Sequence, residues 1–252
     1  MRHLAYSAPP ILYPDSDGQP MADNTLQFRW IVTLVGGLQR LFADEPDVFV
    51  AGDLLWYPVE GDNKTRVAPD ALVAFGRPKG DRGSYRQWEE QGIAPQVVFE
   101  VLSPGNSEAE MRRKLAFYDR YGAEEYYEYD PDNGQLKGWL RQGGKLSEIL
   151  WMRGWVSPRL GIRFDLDEKE LRVAGPDGRD FEDYVSVAQR ADKAERRATA
   201  ESQARETAEQ RAEQAEHRAE QAEQRAQIES QARLALAAEL ARLRELLPRP
   251  GN

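Results

Sequence analysis

The sequence predicts a mixed α/β (α+β) domain, a sheet flanked by helices, followed by a long C-terminal coiled-coil helix. Three observations lead there. All 6 Trp, 10 Tyr and 8 Phe residues lie at or before Tyr184, so the core-building side chains belong to the first part of the chain. Within that part apolar residues switch between helical spacing and strand-like runs, in the order helix, three strands, helix, strand, hairpin additions. Beyond it, alanine and leucine recur by fours and threes, and from Asp177 to Leu247 there is no proline and Gly178 is the only glycine. The expected organisation is an irregular arm over residues 1–22, a globular domain over 23–183 and a coiled-coil tail over 184–252.

Each element has its own signal. Pro, Ser and Asp crowd the arm, which leads to an Asp23 or Asn24 helix cap. Phe28, Ile31, Val32, Leu34, Val35, Leu38, Leu41 and Phe42 then follow the spacing of a buried helix face, closed off by Pro46. Three β-rich runs come next, Val48 to Pro58, Thr65 to Gly76 and Gln96 to Leu102, and they read as neighbouring strands. Arg77 to Pro95, with Lys79, Arg82 and Arg86 among glycines, reads as a surface loop with a short helical turn. Glu108 to Tyr121 places Met111, Leu115 and Tyr118 on one side of a second helix, and Gly122 is its stop. Glu125 to Tyr129 and Leu136 to Leu140 flank the turn Asp130-Pro131-Asp132-Asn133-Gly134 and form a hairpin. Lys145 to Met152 and Leu160 to Asp165 are further strands, with Leu171 to Val173 continuing the latter.

In the tail, Tyr184, Val187 and a series of alanines from Ala191 to Ala226 lead in one register to Leu236, Leu240, Leu243 and Leu247. Glu201, Arg205, Glu229 and Arg233 interrupt this seam as polar layers. At ~1.5 Å per residue the helix is on the order of 90 Å long. An alanine seam buries little apolar area, so the terminal leucines carry most of the association energy. The seam predicts a parallel homodimer; a solvated single helix, or one docking on a different protein, are the alternatives.

The formal net charge is −9, from 34 Lys+Arg and 43 Asp+Glu. Residues from Arg190 onward carry equal numbers of each sign, so the acid excess sits in the globular part. Such a domain is no bulk electrostatic binder of nucleic acid, and any contact with phosphates must be local. No cysteine is present, which excludes disulfides, thiolate zinc sites and cysteine nucleophiles. No apolar run approaches the ~18 residues of a membrane span, and the N-terminus lacks a signal pattern, so a cytoplasmic protein is expected.

Two acids stand out. Asp70 follows Pro69 inside an apolar run, and Glu100 ends the apolar strand Val97-Val98-Phe99. Burying an unpaired carboxylate is costly, and a shared divalent cation is one way to satisfy two of them on adjacent strands. An ion pair of Glu100 with Lys114 or an arginine is the simpler alternative. Metal-assisted hydrolysis also needs a group that orients water or neutralises developing charge, for which Lys114 is the best candidate, with Arg112 and Arg113 competing. Ser103 lacks a nucleophile elbow, and His3 and His217 lie in the arm and the coil, which leaves no serine triad. Gly76, Gly80 and Gly83 lack the Lys-Ser or Lys-Thr continuation of a phosphate loop.

The linked segments Asp53-Leu54-Leu55-Trp56-Tyr57-Pro58, Ala68-Pro69-Asp70, Phe99-Glu100-Val101-Leu102-Ser103-Pro104, Lys114 to Tyr118, Tyr121-Gly122 and Glu125 to Pro131 resemble the Uma family of restriction-endonuclease-like proteins, abundant in cyanobacteria. The likeness spans residues 9 to 184, and the coiled-coil tail is similar to tails on many members. The resemblance implies a PD-(D/E)xK nuclease fold with Asp70 and Glu100 as metal-binding acids. It further implies the Val101 backbone carbonyl as an extra ligand, Mg²⁺ or Mn²⁺ as cofactor and DNA as substrate. Lys114 matches the displaced lysine of the family pattern, since Leu102 stands two residues after the glutamate. Asp53 is a further acid for the metal, competing with a role in a turn. A nuclease fold that binds nucleic acid or protein without turnover is the alternative.

Overall fold

The computed structural model describes residues 11–167 and 170–246. Along the chain run α1 (Thr25–Leu41), β1 (Val48–Ala51), β2 (Trp56–Tyr57), β3 (Ala71–Phe75), β4 (Tyr85–Arg86), β5 (Val97–Val101) and α2 (Glu108–Tyr121). There follow β6 (Glu125–Asp130), β7 (Gln135–Gln142), β8 (Lys145–Glu148), β9 (Trp155–Val156), β10 (Arg163–Asp167), β11 (Glu170–Ala174) and α3 (Tyr184–Leu246). Of the two candidate caps for α1, Asn24 takes the role by accepting the Gln27 backbone N–H at 2.8 Å. Asp23 instead accepts the Ser103 hydroxyl at 2.6 Å. The buried stripe of α1 is Gln27, Ile31, Leu34 and Leu38, while Phe28 and Val32, each one helical step to the side, are exposed.

The main sheet has the order β1-β3-β5-β6-β7-β8. Only β5 and β6 pair in parallel, as the crossover through α2 requires; the other neighbours are antiparallel. The run expected from Lys145 to Met152 forms strand only to Glu148, and two earlier runs are also shorter than expected. The first breaks at Asp53, whose φ of 49 turns the chain, so β2 leaves the sheet and pairs with β4, a strand inside the segment read as a loop. The second forms strand only from Ala71, with Asp70 one residue before it. Glu170 to Ala174 does not continue Arg163 to Asp167 but folds back antiparallel on it, and β9 completes a three-stranded sheet.

Strand alternation divides the core into two faces. Val73, Val97 and Phe99 pack with Ile31, Leu34 and Leu38 of α1 and with Phe164 and Val173 of the small sheet. Leu72, Ala74 and Val98 pack on the other face with Trp56, Tyr118 and Tyr126. Fully burying each large side chain stabilises the fold by ~1.5–3 kcal/mol. On the first face Phe181 lies against Gly37, so closely that a Cβ there would meet its ring at 2.1 Å.

The chain divides into two compact units, Met1–Val187 and Ala188–Asn252. The described residues of the second all belong to α3, and its side chains from 189 to 243 are exposed. Leu247 of the expected seam lies outside the described residues, as do His3 and the first ten positions of the arm. No helix among the described residues is long and apolar enough to cross a membrane.

Candidate active site

Register brings the two acids together. In the antiparallel pair β3–β5, Ala71 faces Phe99, and one further step sets Asp70 opposite Glu100. Strand alternation then turns both toward the face covered by α2. Asp70 Oδ2 accepts the Val101 backbone N–H at 2.6 Å, which fixes the corner entering β3 to the end of β5.

Helix α2 supplies the counter-charge. Ser107 caps it through the Glu110 N–H, and Gly122, at a φ of 103, ends it in the left-handed region that favours glycine. Lys114 and Tyr118, one helical turn apart, lie on the same side. Lys114 Nζ stands 2.8 Å from Glu100 Oε2, and the Tyr118 hydroxyl donates to Glu100 Oε1. Of the three basic residues weighed for this place, Lys114 reaches Glu100, whereas Arg112 pairs on the surface with Glu108 at 3.0 Å and Arg113 is exposed.

The Glu100 side chain is 2 % exposed. Burial raises its pKa, and Lys114 and Tyr118 only partly oppose this. Burial, then the Glu100 charge, push the Asp70 carboxyl well above its ordinary range, against the pull of the Val101 N–H and Lys114. Desolvation would lower the Lys114 ammonium, but the attraction of Glu100 and Asp70 outweighs it and the pKa is raised. Two facing carboxyls, with the Lys114 ammonium bonded to Glu100, form a site short of positive charge.

The donor set suits a hard divalent cation. Among the described residues no three His, Cys, Asp or Glu side chains converge as a ready-made metal cage. Magnesium, however, commonly takes one or two carboxylates, keeps several waters and leaves the rest to phosphate. The Val101 carbonyl, the expected backbone ligand, accepts Gln27 Nε2 at 2.7 Å, which leaves its second lone pair for a cation. Asp53 sits at its turn, with its N–H donated to the Pro69 carbonyl at 3.1 Å. Its exposed carboxyl is nevertheless electrostatically joined to the site. Partial burial and the charge of Asp17 raise its pKa, and Lys114 lowers it.

Sequence reasoning missed Gln27 and Tyr118. Both left a trace: Gln27 is a polar residue on the buried stripe of α1, and Tyr118 follows Lys114 by one helical turn. It also missed Glu125, which is fully buried, has no cation partner among the described residues and accepts from the Tyr127 hydroxyl at 2.8 Å, the Arg159 N–H at 2.7 Å and the Ser157 hydroxyl. Those donors tie β6 to the segment before β10. Ser103 spends its hydroxyl on Asp23, and His217 lies exposed on α3 beside Gln221, so neither forms part of a triad.

A family model, Uma2, described as "Putative restriction endonuclease", matches residues 17–179. No curated protein matches the sequence significantly. A solved structure from Anabaena variabilis, a "putative nuclease belonging to DUF820", shares 16 % identity over 52 % of this chain and 70 % of its own, with a TM-score of 0.38.

Proposed function

We propose that this chain, which belongs to the Uma2 family, is a divalent-metal-dependent endonuclease hydrolysing phosphodiester bonds of DNA. What carries this is the placement of Asp70 opposite Glu100 with Lys114 on Glu100 at 2.8 Å. Asp70, Glu100 and the Val101 carbonyl would hold Mg²⁺ or Mn²⁺, with Asp53 close enough in charge to contribute. When bound, the cation lowers the pKa of water and polarises the scissile phosphate. The chain's own residues do the rest. Lys114 orients the attacking water or neutralises charge on the phosphate, the Val101 N–H orients Asp70, and Tyr118 aims Glu100. Gln27 holds the Val101 carbonyl. A cytoplasmic setting and a homodimer formed through the coil complete the proposal.

Cleavage of plasmid, linear and single-stranded DNA in Mg²⁺, by wild type beside Glu100→Ala, tests it. Metal-dependent cleavage confined to wild type supports the nuclease, and equal activity in both sinks it. One observation favours a second reading, a nuclease-fold binding module without turnover: Glu100 is already satisfied by Lys114 and Tyr118. Calorimetry separates the two, because a binding module gives no Mg²⁺ or Mn²⁺ heat that depends on Glu100.

A further inference from the structure

Helix α3 runs unbroken from Tyr184 to Leu246, so the heptad positions set at its start hold along its length. With Tyr184 at position a, the seam includes Ala198, Ala212 and Leu240 at a, and Ala215, Leu236 and Leu243 at d. Leu236, Leu240 and Leu243 are 60, 50 and 53 % exposed, which leaves this face uncovered in a single chain. Over residues 209–225 the residues flanking it are sorted by sign. Arg211, Arg218 and Arg225 occupy g positions, and Glu209, Glu216 and Glu223 occupy e positions, all exposed.

We infer that the tail is a self-recognising surface whose partner is a second copy of this chain, held parallel and in register by this charge code. In a parallel pair a g residue meets the e residue five positions later on the other helix. Arg211 then faces Glu216 of the second copy and Arg218 faces its Glu223, with the reciprocal pairs formed by symmetry. In an antiparallel pair g meets g and e meets e, so Arg would face Arg and Glu would face Glu. The polar layers lie within the seam itself. Glu201 with Arg205, and Glu229 with Arg233, are consecutive d and a positions, and the second pair is bonded along the helix at 2.7 Å. In register, Glu201 meets Glu201 and Arg205 meets Arg205 of the second copy, a like-charge cost, with the opposite charge one layer away on the partner. A slip of one heptad would set Glu201 and Arg205 against Ala208 and Ala212, burying charge against alanine.

This orientation rests on the homodimer proposed above, and the experiment keeps the two failures apart. The full chain is studied by sedimentation as wild type, as Arg211→Glu with Arg218→Glu, as Glu216→Arg with Glu223→Arg, and as an equimolar mixture of the two variants. Each variant alone should dissociate with a Kd raised on the order of tenfold or more, and the mixture should recover wild-type affinity. The chain has no cysteine, so Ala198→Cys reports orientation directly. Its disulfide-linked dimer is expected only if the a positions of both copies share a layer. A wild-type dimer that tolerates both reversals, or Ala198→Cys chains that do not cross-link, overturns the parallel register and leaves the dimer standing. A monomeric wild type overturns both.

Discussion

Asp70 is the residue at which function and stability pull apart. Its pKa is raised in the folded chain, so below the ordinary value of 3.8 the folded and unfolded forms are both protonated and no penalty arises. As pH rises through the folded value, stability is lost. Asp70→Asn keeps an oxygen for the Val101 N–H and removes that penalty. The variant is expected to be more stable than wild type at neutral pH by ~0.5–2 kcal/mol while losing metal-dependent cleavage. Urea titration with and without Mg²⁺ checks this, and a destabilised variant would make Asp70 a structural acid. Gly36 and Gly37 make a second contrast. Gly36→Ala meets nothing within 4 Å, so helix propensity should gain ~0.5–1 kcal/mol. Gly37→Ala drives a methyl into Phe181 and should lose about 1–3 kcal/mol by thermal melting, despite the same propensity gain. Asp70 and Glu100 were conspicuous in the sequence because charges interrupt apolar runs, and Lys114 was conspicuous from its place after Glu100 and from the family pattern. Gln27 was not, because an uncharged amide on a buried stripe carries no comparable energetic signal.

Among elements, both long helices and the β5–α2–β6 unit were legible from spacing and caps, whereas short strands were not. The two-residue strands β2 and β4 exist through tertiary pairing and carry no periodicity that could announce them. The segment from Arg77 to Pro95 illustrates this. Its basic residues read as those of a surface loop, yet Glu90 holds Arg77 at 2.9 Å and Arg82 at 2.6 Å, and the Arg82 guanidinium lies 3.9 Å from the centre of the Phe49 ring. Two of its cations are thus bound within the fold. Burial alone would raise the Glu90 carboxyl, but Arg82 and Arg77 outweigh it and hold the pKa below 4.5. The stability this contributes is present above 4.5 and is lost as pH falls through the folded value. Glu90→Gln should destabilise the protein by roughly 2–3 kcal/mol at pH 7, with the difference shrinking in acid. A constant difference down to pH 3, measured by urea titration, would remove the ionic explanation.

At the scale of the whole molecule, an association built largely on alanine is weak along most of its length, so its energy concentrates where leucines enter the seam. Leu236, Leu240 and Leu243 each bury more apolar area than any alanine layer, and each truncation forfeits roughly 2 kcal/mol or more if the site packs like a core. Replacing all three by alanine should leave the circular dichroism of α3 and of the globular unit unchanged while abolishing dimer sedimentation at micromolar concentration. A helix stabilised as a solitary rod would show the same sedimentation before and after the change. Activity offers a second readout on the unaltered chain. If two sites act on one duplex, supercoiled plasmid is linearised while the protein is dimeric and only nicked once dilution takes it below the dimer Kd. Raising salt from about 0.1 to 1 M shortens the Debye length from roughly 10 to 3 Å and weakens the flanking ion pairs. It should therefore shift the nicking threshold to higher protein concentration. A nicked-to-linear ratio indifferent to both dilution and the three leucines would mean that each chain cuts alone and that the tail serves another end.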